Sequence, residues 1–203
     1  MIYLLRHGET VANREGRLQG RSDAPLTLNG VAQVRAIGAL LREQVAEPSG
    51  FSVVSSPLGR ARRSAVIVCQ ALGLDPRTVT CDPRLAEISF GDWDRLTVPE
   101  VEAAAPGAWA RREADRWTFA APGGESYALL AARVGEWLKT QPVEARLIVV
   151  CHGAVSRVMR GLYAGLPPAE CVKLTQNQTN LYRLSGGRIE TLKARLDPGA
   201  WPP

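Results

Sequence analysis

The sequence predicts an α/β fold: a three-layer α/β/α sandwich in which a mostly parallel sheet carries helices on both faces. Short apolar runs alternate with amphipathic segments of helical periodicity, a pattern typical of βαβ units. The composition, with 45% hydrophobic and 22% charged residues, is that of a globular protein. A chain of 203 residues can bury roughly 70% of its unfolded surface. We therefore expect a single domain over residues 1–203.

Five strands are predicted from apolar runs that end at charged or glycine-containing segments. Three of them are interior strands, and the last two are joined by Ser-Gly-Gly as in a hairpin. The predicted strands are Ile2–Leu5, Phe51–Val54, Arg146–Cys151, Asn180–Leu184 and Arg188–Leu192.

Four helices are predicted between these strands. The first begins at Thr27, a capping residue, and ends before the Glu-Pro-Ser-Gly segment at 47–50. The other three are Leu58–Leu72, Ser126–Lys139 and Ala154–Tyr163. The Ala-rich segment at approximately 95–122 is bounded by prolines and differs from the rest, so we predict a small helical insertion there, over the functional site.

Basic residues outnumber acidic ones by 25 to 20, and the formal net charge is +5. Only Lys139, Lys173 and Lys193 are lysines, so 22 of the 25 are arginines, whose guanidinium groups bind phosphate and carboxylate in bidentate fashion. The arginines are scattered and no aromatic-interleaved basic stripe accompanies them. This distribution argues against nucleic acid as a partner.

The four cysteines form no C-x-x-C pair and have the spacing of neither a zinc site nor a disulfide framework. The apolar run at the N-terminus is too short for a signal peptide, and no run approaches the length of a membrane span. We expect a cytoplasmic protein with no membrane partner. The sequence carries no indication of its oligomeric state.

Both histidines follow predicted strands directly, and each is followed by glycine, which lets the backbone approach a ligand closely. Ligands of open α/β sheets bind outside the carboxyl ends of the strands. His7 and His152 are therefore expected in one crevice. Arg6 joins them there, as does Arg60 at the beginning of a helix.

Two imidazoles and two arginines suit phosphoryl transfer through a covalent phosphohistidine, since imidazole is a good nucleophile with a pKa of about 6.5. The amides at the N-terminus of the helix that carries Arg60 are expected to complete an oxyanion site. Metal binding needs further ligands at suitable spacing, and the sequence has none. We expect neither a metal nor another cofactor.

Six motifs in order give the chain a resemblance to the histidine phosphatase superfamily, with its phosphoglycerate mutase-like fold. The resemblance covers nearly the whole chain. The motifs are L-R-H-G-E-T at 5–10, G-R-S-D-A-P-L-T-L-N-G at 20–30, S-S-P-L-G-R-A-R-R-S-A at 55–65, L-A-E-I-S-F-G-D-W-D at 85–94, P-G-G-E-S at 122–126 and V-C-H-G at 150–153.

The resemblance implies a role for each matching residue. His7 matches the nucleophile that becomes phosphorylated, while Arg6, Arg60 and His152 match the pocket that holds the phosphoryl group. Glu87 matches the proton donor to the leaving alkoxide. Positions near the bound substrate are matched by Asn13, Gln19, Gly20, Gly153 and Ala154.

Two differences from the family pattern bear on the substrate. Arg95 stands where the family usually has a glycine, and could alter the loop or add an anion contact. Ala154 replaces the second glycine of the usual H-G-G. Arg111-Arg112 is similar to the arginine pair with which mutases of the family bind a carboxylate.

The resemblance leaves three functions open. We predict a phosphatase acting on a small anionic phosphomonoester, because the chain is shorter than the cofactor-dependent mutases and P-G-G-E-S resembles the phosphatase branch. The alternatives are a cofactor-dependent phosphoglycerate mutase and a non-catalytic phosphate-binding module. The substrate stays open among phosphoglycerates, sugar phosphates, α-ribazole phosphate and phosphoamino acids.

Overall fold

The computed structural model describes residues 1–196 and contains a six-stranded mixed sheet. The strands are β1 Ile2–Arg6, β2 Ser52–Ser55, β3 Thr80–Cys81, β4 Leu147–Cys151, β5 Asn180–Ser185 and β6 Arg188–Lys193. Their order is β3-β2-β4-β1-β5-β6. The first four strands in this order are parallel, and β5 and β6 add an antiparallel hairpin at one edge.

Eight α-helices occur among residues 1–196. They are α1 Val11–Arg14, α2 Leu28–Gln44, α3 Gly59–Leu72, α4 Val98–Ala104, α5 Ala108–Ala114, α6 Tyr127–Lys139, α7 Gly153–Ala164 and α8 Pro168–Cys171. The pair α2 and α3 covers one face of the sheet and the pair α6 and α7 covers the other. None of these helices combines the length and apolar character that crossing a bilayer demands.

The central strand β4 shows why the fold has three layers. Ile148 and Val150 pack into the apolar cluster under α2 and α3, whereas Leu147 and Val149 pack into the cluster under α6 and α7. Side chains alternate between the faces of a strand, so an uninterrupted apolar strand needs cover on both sides. The predicted three-layer sandwich is confirmed.

The two strands that precede the histidines end at the same level. β1 and β4 are parallel neighbours, paired from Ile2 with Leu147 to Arg6 with Cys151. The His7 backbone N–H continues the ladder by donating to the Cys151 carbonyl at 3.0 Å. His7 and His152 therefore leave the sheet side by side.

The predicted strands and helices are all present, with ends that shift by a residue or a few. Three short elements, α1, β3 and α8, were not predicted. β3 is a two-residue exposed edge strand, too short for a hydrophobic pattern. Helix α1 has four residues and rests on a capping box between Thr10 and Asn13.

The insertion carries the two short helices α4 and α5 over the carboxyl end of the sheet. Its small apolar cluster includes Trp93, Val101 and Ala108, and a capping box of Thr97 and Glu100 begins α4. The predicted helical insertion is confirmed. Its helices span 98–114, inside the expected range.

The loop after β1 packs unusually close to the first turn of α2. Gly8 and Gly30 lie against each other there, and a Cβ on Gly30 would overlap the Glu9 carbonyl oxygen. This contact fixes the path of the chain directly after His7.

We expect Gly30→Ala to lower the free energy of unfolding by about 1–3 kcal/mol, because the added methyl group has no space. The matched control is Gly135→Ala in α6, where the new Cβ would meet Leu162 Cδ1 at an ordinary 3.6 Å. That change should be neutral or stabilising by up to about 1 kcal/mol, since alanine favours helix. Urea denaturation of both variants measures the difference, and equal effects would contradict the close-contact account.

Candidate active site

A cavity of about 340 Å³ opens at the carboxyl ends of β1, β2 and β4, beneath the insertion. It lies where ligands of open α/β sheets bind. Nearly all of the site residues predicted from the sequence line it. They are Arg6, His7, Asn13, Gln19, Gly20, Arg60, Glu87, Gly153 and Ala154.

His7 is held with one ring nitrogen unprotonated. Its Nδ1 lies 2.7 Å from the Gly8 carbonyl oxygen, which only accepts, so Nδ1 carries the proton. Its Nε2 accepts a hydrogen bond from Arg60 Nε at 3.2 Å. Burial, with the nearby Arg6 and Arg60, holds the pKa of His7 well below its ordinary value. His7 is therefore a neutral imidazole with its lone pair on Nε2.

Arg60 is buried, and four of the five N–H groups of its guanidinium are hydrogen-bonded within residues 1–196, which leaves one Nη2–H for a ligand. Besides His7, it donates to the carbonyl oxygens of Gly20 at 2.9 Å and Ser22 at 2.6 Å. The Asp23 carboxylate lies 3.3 Å from the same guanidinium. Burial lowers the pKa of Arg60, and Glu87 and Asp23 oppose that shift. The charged group is thus kept at one position against the His7 ring.

Asp23 also caps α3, which corrects one expectation. Its carboxylate accepts from the backbone N–H groups of Gly59 and Arg60, the first residues of the helix. The sequence predicted that these amides would bind an oxyanion. They are already satisfied by Asp23, so the phosphate-binding capacity lies in the guanidinium groups.

Arg6 reaches the cavity from the end of β1. Its guanidinium donates to the Gln176 carbonyl oxygen at 3.2 Å, while its buried Nε has no partner in the described chain. Burial lowers the pKa of Arg6 to about 10, and Glu87 opposes the shift. Arg6 stays charged at neutral pH and keeps a donor free.

Glu87 faces these groups across the cavity. Its two carboxylate oxygens accept backbone hydrogen bonds from Ile88 at 2.9 Å and from Ala154, in the first turn of α7, at 3.2 Å. Arg133 secures the same segment by donating to the Glu87 carbonyl oxygen at 3.2 Å. The side chain is half-buried and points into the cavity.

His152 is the exception among the predicted residues, since it does not line the cavity. Its ring is fully buried, with the ring centroid 5.1 Å from that of His7. Its Nε2 lies 2.7 Å from Ser56 Oγ, and its Nδ1 has no partner among residues 1–196. Burial, Arg60 and His7 hold the pKa of His152 well below its ordinary value.

Three of the predicted substrate-contact residues, Asn13, Gln19 and Gly20, form one side of the cavity, which is called the lower wall here. Asn13 Oδ1 is engaged by the Thr10 backbone and by Gln178. Gln19 donates to Thr10, and its buried Oε1 has no partner in the described chain. Gly20 contributes its carbonyl oxygen to Arg60.

In the upper wall, Arg112 was singled out from the sequence and the other lining residues were not predicted. The guanidinium of Arg112 lies over the rings of Phe90, at 5.3 Å, and Trp109, at 4.6 Å. It pairs with Glu113 at 2.6 Å. The further lining residues that matter here are Arg17, Arg116, Tyr127, Arg157 and Gln176.

The two arginines singled out in the insertion separate in the structure. Arg112 is buried in the cavity wall, whereas Arg111 is exposed and faces away from it. Arg95 is also exposed and does not line the cavity. Its φ of +71° is a left-handed conformation that favours glycine, the residue that the family usually has at this position.

Positive charge dominates the cavity. Six arginines line it, at positions 6, 17, 60, 112, 116 and 157, against the two carboxylates Glu87 and Glu113. The surplus attracts anions and strengthens their binding in a partly enclosed space. A phosphoryl group needs only some of these guanidinium groups.

The model of the histidine phosphatase superfamily (branch 1) matches residues 2–194. The chain belongs to this superfamily. Among its superfamily relatives, the probable phosphoglycerate mutase GpmB of Salmonella paratyphi C is 35% identical over 170 residues, which are 82% of this chain and 75% of the relative.

Solved structures of the histidine phosphatase superfamily share the fold. A mycobacterial glucosyl-3-phosphoglycerate phosphatase in complex with VO3 is 30% identical, with a TM-score of 0.77 over 96% of this chain and 99% of that one. A putative α-ribazole-5'-P phosphatase from Escherichia coli has a TM-score of 0.80 over 95% of this chain and 94% of that one. Its identity is 22%, so this likeness concerns the fold alone.

The two buried histidines should make the protein sensitive to mild acid. Because folding lowers both pKa values, the unfolded chain binds protons first, and stability is lost as the pH falls below the unfolded value of about 6.5. We expect the free energy of unfolding to fall by about 1.4 kcal/mol per histidine between about pH 7.5 and about pH 5.5. Urea denaturation at the two pH values measures the loss.

The variant His7→Asn should show about half of this pH dependence, because one of the two titrating groups is gone. Asparagine keeps a donor near the position of Nδ1. A free energy of unfolding that is unchanged between the two pH values in the native sequence would contradict the assignment of neutral imidazoles.

Proposed function

We propose that this protein is a phosphatase that hydrolyses small-molecule phosphomonoesters through a covalent phosphohistidine at His7, without a metal ion. The observation that carries the proposal is the unprotonated Nε2 of His7 in a cavity lined by six arginines. A neutral imidazole is a competent nucleophile, and the guanidinium groups supply the positive charge that a metal supplies elsewhere. Among residues 1–196 no three His, Cys, Asp or Glu side chains converge as metal ligands.

In the first step, His7 Nε2 attacks phosphorus and the bond from phosphorus to the ester oxygen breaks. The guanidinium groups of Arg6 and Arg60 bind the phosphoryl oxygens as charge redistributes over them. Glu87 is the general acid in this proposal and gives a proton to the departing alkoxide. The step yields free alcohol, phosphohistidine and the Glu87 carboxylate.

In the second step, a water molecule attacks phosphorus and the bond to His7 Nε2 breaks. The Glu87 carboxylate takes the proton that the water loses, which restores its acid form. Inorganic phosphate leaves and His7 regains its lone pair. Atoms and protons balance over the two steps, and the enzyme returns to its starting state.

We expect His7→Ala to lower kcat for phosphomonoester hydrolysis by roughly 10⁴-fold or more, since the nucleophile is lost. Labelling with a ³²P-phosphomonoester, stopped with alkaline detergent, should give a phosphoenzyme that survives alkali and is lost in acid in the native protein, and none in the variant. The activity of the native protein should survive EDTA. Full turnover by His7→Ala would refute the nucleophile, and native protein that neither labels nor turns over would favour a binding module.

The substrate that we propose carries a second anionic group besides the reacting phosphate. Arg6 and Arg60 serve the phosphoryl group, yet Arg112 and Arg116 line the upper wall with only Glu113 as their shared carboxylate, at 2.6 and 3.7 Å. Two buried or half-buried guanidinium groups around one carboxylate leave capacity for a further anion. A carboxylate-bearing substrate, as in the name of the mycobacterial phosphoglycerate-derivative phosphatase, fits this wall.

We expect Arg112→Gln to lower kcat/KM for 3-phosphoglycerate by about 10- to 100-fold, the effect of losing one charge-assisted hydrogen bond. Hydrolysis of p-nitrophenyl phosphate, which has no second anion, should change less than about threefold. The matched control is Arg111→Gln, whose side chain faces away from the cavity. Equal losses on both substrates would contradict a second anion subsite.

A phosphoglycerate mutase is the second candidate, favoured by the 35% identity to a probable member of that class. A mutase must keep its phosphoenzyme from water and offer it to a second hydroxyl group. Within residues 1–196, the part of the insertion that lines the cavity is Trp109, Arg112 and Glu113 of the short helix α5, with Arg116 just after it. An enzyme with so little cover is expected to admit water.

Interconversion of 2- and 3-phosphoglycerate, assayed with 2,3-bisphosphoglycerate added, separates the two candidates. We expect phosphate release to exceed isomer formation, because water reaches the phosphohistidine. Isomer formation faster than phosphate release would reverse the assignment in favour of the mutase.

A further inference from the structure

Ser56 joins the second histidine to the end of strand β2. It is fully buried, and its Oγ makes two contacts. It accepts a hydrogen bond from the Leu58 backbone N–H at 3.3 Å, and it lies 2.7 Å from His152 Nε2.

The direction of the shorter hydrogen bond follows from counting donors and acceptors. If Nε2 carried the proton, Ser56 Oγ would accept twice, its own hydrogen would find no acceptor within the described chain, and His152 Nδ1 would be an unpartnered acceptor. If Ser56 donates to Nε2, both groups are satisfied and only the Nδ1–H of His152 is left. The second arrangement leaves fewer buried groups unpaired and is favoured.

We propose that Ser56 fixes His152 in the tautomer that carries its proton on Nδ1, so that this N–H donates to the phosphoryl group in transfer. The assignment of the tautomer rests on the Ser56 contacts alone. The hydrogen bond from His152 to the phosphoryl group rests on the proposed function.

The arrangement around His152 leaves the Nδ1–H group free to donate to a ligand. An unpaired buried N–H costs free energy, and that cost is recovered when an acceptor arrives. The ring lies 5.1 Å from that of His7, centroid to centroid, so a phosphoryl group on His7 Nε2 comes within reach. Burial, together with the nearby Arg60 and Arg6, disfavours a positive charge on His152, so the donor is a neutral imidazole. Ser56 is thus a positioning residue that acts through His152.

The tautomer can be read directly by long-range ¹H–¹⁵N NMR, and the protein has only two histidines. The variant His7→Asn assigns the signals. We expect His152 to show a protonated Nδ1 and an unprotonated Nε2 in the native protein. Addition of inorganic phosphate, or of vanadate, should shift the Nδ1 signal as the hydrogen bond forms. A protonated Nε2 in the native protein would overturn the proposal, whatever the enzyme's activity.

Two serine variants isolate the effect of the hydroxyl group. Ser56→Ala should move His152 toward the other tautomer or a mixture, and should lower kcat by about 10-fold or more with a smaller change in KM. Ser56→Thr, which keeps a hydroxyl group, should restore the native tautomer and much of kcat. Native tautomer and native kcat in Ser56→Ala would overturn the proposal.

The matched control is Ser55→Ala, because Ser55 is equally buried and its hydroxyl donates to the Ser56 carbonyl oxygen at 2.9 Å without touching His152. It should leave the His152 signals unchanged. A shift as large as that in Ser56→Ala would mean that general loosening of the loop, and not the hydroxyl of Ser56, controls the ring. If no phosphomonoester is hydrolysed, the proposed function fails, while the native tautomer and its response to vanadate still decide this proposal.

Discussion

The buried guanidinium of Arg60 is the constraint around which the site is built. A charge removed from water needs partners on all sides, and Arg60 obtains them from the loop that contains Gly20, Ser22 and Asp23. The Nε–H group donates to His7, and one Nη2–H is left unpaired within residues 1–196. Satisfying one buried cation therefore orders the loop, the beginning of α3 and the His7 ring together. Asp23 contributes twice, as helix cap and as counter-charge.

Two parts of the cavity differ in how they are built. The lower part, with His7, Arg6 and Arg60, stands on strand ends and a long helix inside the two large apolar clusters. The upper part, with Arg112 and Arg116, stands on a short helix and the turn after it, supported by a small apolar cluster. Phosphoryl chemistry is shared across such a superfamily, whereas the rest of the substrate varies. The lower part, supported by the two large apolar clusters, suits the shared chemistry, and the upper part, supported by its own small cluster, suits a substrate that varies.

The sequence predicted the lower part well because its signals are local. Strand ends, the two His-Gly pairs and Arg60 at the start of a helix can all be read from neighbouring residues. The capping of α3 by Asp23 could not, since it joins positions 36 residues apart. The orientation of α5 could not be predicted from the sequence either. Arg111 and Arg112 are adjacent in sequence, and only the packing against Phe90 and Trp109 decides which one faces the cavity.

The spacing of the two histidines follows from the pairing of strands β1 and β4. They follow β1 and β4, which are hydrogen-bonded neighbours in register, and paired strands lie about 4.8 Å apart. The 5.1 Å between the imidazole centroids is close to that spacing. The separation of the two imidazole rings thus follows the strand spacing of the sheet, which loop replacement cannot easily alter. Insertions can diverge above it and acquire new substrates while the reaction centre keeps its dimensions.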